Sequence, residues 1–464
     1  MTDKRQKIRN QTAYIRKGMG EARTSGVEGF ESGLVIGEIG IPVPEQLMEE
    51  IANVRNLKEA YFRVRSNKGS AGIDKMTVEE LGGYLLRHYD EISQQLLQGT
   101  FKPQPVRRVE IAKSTGGTRK LGIPCAIDRL IQQALLQVVQ KYWDSTFSEH
   151  SYGFRPGRSQ HQAIEQAQKY VCSGLQYVVD LDLEKFFDRV NQDILMGLVA
   201  KRLKDKRVLK LIRAFLSAGI MENGVVQAQD EGVPQGGPLS PWLSNVMLDE
   251  LDRELEKRKL NFIRWADDCN IYVGSERAGK RVMESITNFL SKRLKLKVNT
   301  EKSAVGRPWE RKFLGFTFLK RESLRRRIAP QALERAKTKI RELTRRKRGG
   351  TLEQIVKELA RYLNGWIGYF GYAEVKSDVE RLEKWIRHRL RCLIWKRWKR
   401  SKARFKELRK RNVNENLARR TAGSSKGEWH ISASKALSYA LPDKFFQSLG
   451  LPDLLSRVSV GHPI

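Results

Sequence analysis

Carboxylates lie at the ends of two apolar runs, at positions where strand propensity alone would favour another apolar residue or a glycine. Tyr177–Leu183 carries Asp182 near its end, and Phe262–Val273 carries the adjacent pair Asp267 and Asp268 between two β-branched or aromatic stretches. If these segments form neighbouring strands, the three carboxylates converge, and such a cluster is tolerable only when divalent cations neutralise it. A two-metal phosphoryl-transfer site has this layout. The pattern therefore favours nucleotidyl transfer.

An ordinary hairpin turn is the alternative explanation for the Asp267-Asp268 pair. Aspartate tolerates turn dihedral angles, and its side chain accepts hydrogen bonds from nearby backbone N–H groups. Taken alone, the pair favours this structural explanation. Other segments reverse the preference because, in a fixed order along the chain, they supply further parts of the same kind of site.

The chain carries a strong positive charge. Its 464 residues contain 87 Lys and Arg against 53 Asp and Glu, a formal net charge of +34. This length predicts about two to four domains, and the charge predicts a polyanionic partner such as nucleic acid. No apolar run approaches the roughly 18 residues that span a bilayer, and the amino terminus lacks the apolar core of a signal peptide. The four cysteines are widely spaced, which indicates free thiols in a reducing compartment.

A basic, glycine-rich hairpin is predicted in the amino-terminal part. Val106–Ala112 alternates as a strand does, and the turn sequence Ser114–Gly117 lies between Lys113 and Arg119. Basic side chains and backbone N–H groups in such a hairpin can close over a triphosphate. A solvated sheet edge is the simpler alternative.

Phe187 follows Asp182 closely in the sequence. A bulky aromatic side chain just past a metal-binding aspartate can exclude a 2′-hydroxyl by colliding with it. A core position at the start of the next helix is the alternative.

Gly232–Pro241 precedes a predicted helix and contains two adjacent glycines. These glycines permit close approach of the backbone to a ligand, and the helix N-terminus favours phosphate. Further along, Leu294–Asn299 is predicted to be a strand, and Lys302 follows in a short turn.

Basic residues crowd the chain from Lys320 onward. Residues 381–411 contain only Glu383 and Glu407 as acids, and residues 359–372 are rich in aromatic side chains. Such a surface suits RNA, because cations follow the backbone and aromatic rings stack on unpaired bases. A solvated helix face would normally mix both signs of charge. The residues expected to contact nucleic acid are Lys396, Arg397, Trp398, Lys399 and Arg400.

Together these segments resemble the reverse transcriptases encoded by bacterial group II introns, of the type without an endonuclease domain. The segments similar to the successive palm motifs are Tyr177–Val190, Val233–Leu248, Arg264–Val273, Leu294–Ser303 and Lys312–Phe318. The segments similar to the fingers are Arg119–Asp128 and Tyr152–Pro156, and the segment similar to the amino-terminal block is Asn67–Leu81. Leu359–Trp398 is similar to the maturase domain, and Lys426–Val458 is similar to the DNA-binding region. As an ordered set, the resemblance is highly specific.

The resemblance implies an α+β fold, namely a right-hand polymerase with fingers and palm, a helical thumb and a small carboxy-terminal region. The implied boundaries are an extension at 1–44, fingers and palm at 45–320, the thumb or maturase domain at 321–412 and a DNA-binding-like region at 413–464. The implied location is the cytoplasm of a bacterium, close to its nucleoid.

The resemblance also implies an RNA-directed DNA polymerase that binds its intron RNA and thereby assists splicing and retrohoming. The implied partners are the group II intron RNA, an RNA template with a DNA primer, dNTPs and target DNA, with no membrane and an undefined oligomeric state. The implied cofactor is a pair of Mg²⁺ ions, with Mn²⁺ as an alternative. The implied roles are metal binding by Asp182, Asp267 and Asp268, proton donation by Lys302, triphosphate contact by Lys113 and Arg119, sugar gating by Phe187, and nucleotide or template contact by Gln235 and Gly236.

Two features depart from the family pattern. Trp265 lies where the family usually has Tyr or Phe, which leaves fidelity open. A His- and Cys-bearing endonuclease segment is missing, so we expect the primer to be made elsewhere. Two alternatives remain at this point: an RNA-binding splicing factor with a decayed polymerase, and a domesticated or defence reverse transcriptase without an intron. The intact aspartates argue against the first, and the maturase-like segment argues against the second.

Overall fold

The computed structural model of the protein describes residues 44–112, 118–222, 225–227, 231–320, 324–345 and 349–458. The strands are β1 (Val106–Ala112), β2 (Thr118–Ile123), β3 (Tyr177–Leu181), β4 (Ile220–Glu222), β5 (Val225–Gln227), β6 (Asn261–Trp265), β7 (Asp268–Val273), β8 (Ala304–Gly306), β9 (Phe316–Lys320) and β10 (Leu324–Ile328). They form two four-stranded sheets, of order β2-β1-β4-β5 and β6-β7-β3-β8, and one hairpin of β9 and β10.

Helices surround the two larger sheets. In the first part of the chain they are α1 (Leu47–Ala52), α2 (Val54–Ser66), α3 (Leu81–Leu97), α4 (Ala126–Trp143), α5 (Gln160–Cys172), α6 (Phe186–Arg189), α7 (Gln192–Arg202), α8 (Lys206–Leu216), α9 (Ser240–Lys257) and α10 (Glu276–Phe289). After β10 they are α11 (Pro330–Leu343), α12 (Leu352–Phe370), α13 (Lys376–Arg397), α14 (Ser401–Lys410), α15 (Glu415–Ala422), α16 (Glu428–Ile431), α17 (Lys435–Ala440) and α18 (Asp443–Ser448). The predicted α+β class is confirmed.

The sheet of β6, β7, β3 and β8, here called the central sheet, is antiparallel and covered on both faces. Side chains that alternate along a strand point to opposite faces, so each strand contributes to two cores. Val179 and Ile271 belong to the core built with α4, α7 and α9. Their neighbours Val178 and Tyr272 belong to a second core, which includes residues of α5, α12 and α13. The central sheet therefore joins the amino-terminal helices to the carboxy-terminal helices.

A fully buried ion pair fixes α9 against the central sheet. Arg264 in β6 and Asp252 in α9 have no solvent-exposed side-chain surface, and the Arg264 Nη2 lies 2.5 Å from the Asp252 Oδ2. The same guanidinium donates to the Asn245 Oδ1 at 2.9 Å and to the carbonyl oxygen of Ala266 at 3.0 Å. Because burying such charges is costly, this pair is stable only with its hydrogen bonds complete.

The predicted strand at Leu294–Asn299 is wrong. A π-helical turn spans Leu290–Leu294, and the left-handed Lys295, at φ +57°, ends it. Only Val298 makes an isolated bridge, to Leu183. The residue types of this segment favour a strand, but the preceding helix continues into it as the π-helical turn. The predictions of β1 at Val106–Ala112 and of strands carrying the aspartates are confirmed.

Asp128, in the first turn of α4, provides a test of the fold through pH. Its side chain is 1% exposed, and Oδ2 accepts a hydrogen bond from the Gln104 N–H at 3.1 Å. Burial raises the pKa of Asp128 to about 7, although the bond from Gln104 opposes the rise. Because the folded state prefers the protonated Asp128, this carboxyl contributes most to the free energy of unfolding below pH ~4. The contribution is lost as pH rises through about 7.

We therefore expect Asp128→Asn, which keeps an acceptor for Gln104, to be more stable than the wild type at pH 8 by on the order of 2 kcal/mol. The advantage should shrink as pH falls from 7 towards 4. Urea unfolding across this range measures it, with Asp193→Asn, at an exposed carboxylate on α7, as the control. A difference between variant and wild type that does not change with pH would contradict the assignment.

Candidate active site

The hairpin of β6 and β7 carries the paired carboxylates at its tip, here called the aspartate turn (residues 265–268). Trp265 pairs with Asp268 across the hairpin, which leaves Ala266 and Asp267 as the connecting residues. Ala266 has φ +56°, a left-handed conformation that a tight connection of this kind requires. The aspartate turn is therefore a real hairpin turn, and it also displays the carboxylates.

Asp182 lies at the same end of the central sheet as the aspartate turn. In the antiparallel pairing of β3 and β7, Leu181 lies opposite Cys269. Asp182 follows Leu181 and Asp268 precedes Cys269, so both carboxylates leave the sheet at neighbouring points. The predicted proximity of Asp182 to the Asp267-Asp268 pair is thus provided by strand register.

The electrostatics of Asp268 reflect this gathering of negative charge. The side chain keeps access to solvent, yet the surrounding protein removes part of its hydration. This desolvation, followed by the negative charges of Asp267, Asp182 and Asp180, raises the pKa of Asp268 to about 7. Lys302 opposes the rise. A bound cation would relieve the same repulsion.

The donors at this end of the sheet match hard divalent cations. Asp182, Asp267 and Asp268 offer carboxylate oxygens, which are the ligands that Mg²⁺ prefers. Within the described part of the chain, however, no three His, Cys, Asp or Glu side chains are already arranged around one point as a metal site. The residue types and the mutual repulsion fit a divalent cation, whereas a finished coordination shell is not preformed.

Lys302 reaches the carboxylates from the segment before β8. Its Nζ lies 3.4 Å from the Asp182 Oδ1. Its backbone N–H donates to the Asn299 Oδ1 at 3.3 Å, and the N–H of Asn299 donates to the Asp182 carbonyl oxygen at 2.9 Å. Ser303 Oγ accepts from the Asp182 N–H at 3.0 Å. These hydrogen bonds hold residues 299–303, here called the lysine segment, at the end of β3.

A further ion pair holds this segment from the other side. The Arg311 guanidinium donates to the Asp180 Oδ2 at 3.0 and 2.7 Å and to the Lys302 carbonyl oxygen at 2.8 Å. Burial raises the pKa of Asp180, and the positive charge of Arg311 opposes this rise. Arg311 therefore balances one aspartate and restrains the backbone of Lys302 at the same time.

Phe187 lies in the short helix α6, directly after the left-handed Lys185 at φ +49°. Its ring is half-buried and packs at a steep angle on the fully buried Phe186, with ring centroids 5.2 Å apart. The Phe187 carbonyl oxygen accepts from the Val233 N–H at 2.7 Å, which ties α6 to the loop before α9. The ring is thus partly a core residue and partly accessible.

The loop that carries Gln235 and Gly236 also contacts the basic hairpin. The Gly122 N–H in β2 donates to the Gln235 carbonyl oxygen at 2.8 Å. Gly236 has φ +122°, and a side chain there would collide with the Gly122 carbonyl oxygen, so glycine is required. Arg119 lies in β2 opposite Ile111, but its side chain is outside the described part of the chain. Lys113 lies outside the described residues altogether.

Comparison with known proteins identifies two consecutive segments of the chain. A family model described as reverse transcriptase (RNA-dependent DNA polymerase) matches residues 111–318, and the group II intron maturase-specific domain matches residues 333–412. The protein YkfC of Escherichia coli is 32% identical over 323 residues, which cover 61% of this chain and 84% of YkfC. The chain belongs to the group II intron reverse transcriptase and maturase family.

A second relative and a solved structure give the range of similarity. The group II intron-encoded protein LtrA of Lactococcus lactis is 38% identical over 208 residues, which cover 44% of this chain and 34% of LtrA. A chain of a partial Cas6-RT-Cas1–Cas2 complex is 23% identical, with a TM-score of 0.35, over 56% of this chain and 45% of that chain. This reverse transcriptase family member therefore spans most of YkfC but about a third of LtrA.

The basic stretch of the maturase domain forms the end of α13 and the start of the next loop. Lys396, Arg397, Lys399 and Arg400 are exposed, and Trp398 is partly buried. Trp395 is 1% exposed and packs edge-on against Trp398, at 6.0 Å between ring centroids. The indoles therefore anchor the stretch. Its four cationic side chains remain exposed to solvent, and one of them, Arg397, also donates to the Gly350 carbonyl oxygen at 2.9 Å. No described helix has the length and apolar character needed to cross a membrane.

Sequence reasoning missed the residues that support the site rather than form it. Asp180 lies in β3, two residues before Asp182, and this spacing in extended chain places both side chains on the same side, which could have drawn attention to Asp180. Arg311 and the Arg264–Asp252 pair had no such signal, because their partners are distant in sequence.

Proposed function

We propose that this protein copies RNA into DNA by joining dNTPs to a primer at the aspartate turn, and that it binds the intron RNA through its maturase domain. The observation that carries the first part is the register that brings Asp182 beside Asp268 at one end of the central sheet. The family supports the reaction class. The primer 3′-hydroxyl attacks the α-phosphate of the dNTP, and pyrophosphate leaves.

In this proposal Asp182, Asp267 and Asp268 hold two divalent cations, Mg²⁺ with Mn²⁺ as an alternative. Bound cations of this kind supply activation of the attacking hydroxyl and charge compensation for the leaving pyrophosphate. The chain's own task is to gather the carboxylates despite their mutual repulsion. The buried Arg264–Asp252 pair does this for the aspartate turn by binding the Ala266 carbonyl oxygen.

Lys302 is assigned the role of proton donor to the leaving pyrophosphate. An ammonium at this position lies beside the negative charge that develops on the leaving oxygens. The hydrogen bonds from Arg311 to Asp180 and to the Lys302 backbone hold the lysine segment in reach of Asp182. Arg311 is therefore a positioning residue in this scheme.

The remaining residues bind and select the nucleotide. Phe187 blocks a 2′-hydroxyl with the part of its ring that remains accessible. The ring is held in place because it is half-buried and because its backbone carbonyl oxygen accepts a hydrogen bond from Val233. Gln235 and Gly236 contact the nucleotide or the template, and Lys113 with Arg119 neutralises the triphosphate. The contact between Gly122 and Gln235 connects these two groups of residues.

The intron RNA is assigned to the exposed cations at the end of α13. Lys396, Arg397, Lys399 and Arg400 carry four positive charges on a stretch anchored by one buried and one partly buried indole, Trp395 and Trp398. Phosphate contacts of this kind dominate affinity and depend on salt. Splicing support is then a matter of binding, separate from the chemistry of the aspartates. Template, primer and target DNA are the other partners we propose.

We expect Asp267→Asn to abolish Mg²⁺-dependent DNA synthesis from a primed RNA template, because it removes a ligand of the cations that serve both attack and departure. Affinity for the intron RNA should change less than about twofold, since that affinity resides in the maturase domain. Primer extension and filter binding measure the two properties, with Asp193→Asn as the control. Sustained synthesis by an Asp267→Asn, Asp268→Asn double variant would refute the assignment.

We expect Phe187→Ala to admit ribonucleotides, because a small side chain no longer collides with the 2′-hydroxyl. Single-nucleotide insertion should give a dNTP-over-rNTP preference at least about tenfold smaller than in the wild type, corresponding to about 1.4 kcal/mol of lost discrimination. Phe187→Tyr, which keeps the bulk, is the matched control. If the preference stays the same, Phe187 is a packing residue only.

We expect charge reversal of Lys396, Arg397, Lys399 and Arg400 to glutamate to weaken intron binding and splicing at low Mg²⁺. Each lost phosphate contact should reduce the slope of log affinity against log salt by about 0.7 to 0.9. The control is a variant with the same change in net charge, made at the exposed residues Lys201, Lys204, Lys206 and Lys210, which lie in α7, in α8 and in the loop between them. An equal effect of both variants would mean that net charge, and not this stretch, holds the RNA.

A further inference from the structure

Phe154 combines two unfavourable features within the loop Ser151–Gly157, here called the Phe154 loop. Its backbone has φ +59°, a left-handed conformation that bulky residues rarely adopt. Its ring is 50% exposed. The strain costs folding free energy that glycine would avoid, and the exposed ring gains little from burial.

The residues before Phe154 are hydrogen-bonded to β6 and α9, next to the aspartate turn. The Tyr152 N–H donates to the Arg264 carbonyl oxygen at 2.9 Å, and the Asn245 Nδ2 donates to the Gly153 carbonyl oxygen at 2.8 Å. A side chain at Gly153 would collide with the backbone nitrogen of Ala266. The chain therefore passes in direct contact with the aspartate turn immediately before it reaches Phe154.

The residue after Phe154 is equally fixed. Arg155 is 7% exposed, and its guanidinium donates to the carbonyl oxygens of Ser148 at 2.6 Å and Ser151 at 3.0 Å. It also pairs with the Asp144 carboxylate at 3.1 Å. With Gly153 and Arg155 both locked, the backbone at Phe154 cannot relax its strained conformation. Half of the Phe154 surface stays exposed to solvent, one residue after the point at which Gly153 meets Ala266 of the aspartate turn.

We propose that Phe154 is a contact for a nucleobase of the primer–template at the aspartate turn. This inference rests on the proposed function, because that function brings the primer end to Asp267 and Asp268. An aromatic ring stacks on any base through its π-face, so the contact tolerates every sequence that a polymerase must copy. Strain that persists at a rigidly held residue is expected where the residue serves binding.

The decisive variant is Phe154→Gly, because it relieves the strain while removing the ring. Its thermal stability should equal or exceed that of the wild type, since glycine adopts this φ without cost. Its affinity for a primed RNA template should fall between about 5-fold and 150-fold, the range for one lost base–aromatic stack. Phe154→Ala should lose affinity similarly, and Phe154→Tyr should retain it.

A matched control is Phe62→Ala in α2, where the side chain is also 50% exposed but the residue has an ordinary helical backbone. It should leave affinity unchanged. The probe is 2-aminopurine placed either at the primer end or at the templating position, because stacking on Phe154 quenches its fluorescence. Loss of quenching in Phe154→Gly at one of the two positions identifies which base is contacted.

Two outcomes would overturn the inference: affinity and quenching in Phe154→Gly that match the wild type, or an affinity loss that accompanies a loss of thermal stability in the same variant. Primer extension by the wild type is measured in parallel. A wild type that binds the duplex without extending it would refute the proposed polymerase function, and the binding comparison would still decide about Phe154.

Discussion

Repulsion among carboxylates at one end of the central sheet is the constraint that the neighbouring structure answers. Strand register brings Asp182 to the Asp267-Asp268 pair, and Asp180 adds a fourth negative charge nearby. The positive charges of Lys302 and Arg311 partly offset this negative charge. Arg264 stabilises the aspartate turn by donating a hydrogen bond to the Ala266 carbonyl oxygen. A divalent cation would neutralise the remaining negative charge. In the proposed function, the carboxylates that repel one another in the fold are the ones that bind this cation.

The bracing extends outward through residues that serve two elements at once. Arg264 binds Asp252 of α9, Asn245 of the same helix and the carbonyl oxygen of Ala266. Asn245 in turn donates to the Gly153 carbonyl oxygen, so hydrogen bonds connect the Phe154 loop, α9 and the aspartate turn. The half-buried Phe187 is connected to the Gln235 loop in a similar way, through Val233. Hydrogen bonds thus connect the proposed nucleotide-selecting residues to the loop before α9.

Much of this could be predicted from local sequence. Strands with alternating or continuous apolar residues positioned the three aspartates, and Gly232–Pro241 marked the loop before α9, because both signals lie within a few neighbouring residues. The supporting pairs could not be predicted, since Arg311 and Asp180 are 131 positions apart. The prediction of a strand at Leu294–Asn299 was wrong because Leu294 belongs to a π-helical turn and Lys295 has a left-handed conformation. The strain at Phe154 likewise depends on tertiary contacts at Gly153 and Arg155.

Binding of Mn²⁺ in the absence of nucleic acid tests most directly whether the gathered carboxylates form a cation site. Electron paramagnetic resonance of free Mn²⁺ should show saturable binding to the wild type and to Asp193→Asn. An Asp182→Asn, Asp268→Asn variant should bind little, and added Mn²⁺ should raise the thermal stability of the wild type but not of this variant, because a ligand stabilises the state that binds it. Equal Mn²⁺ binding by the wild type and the double variant would contradict the account.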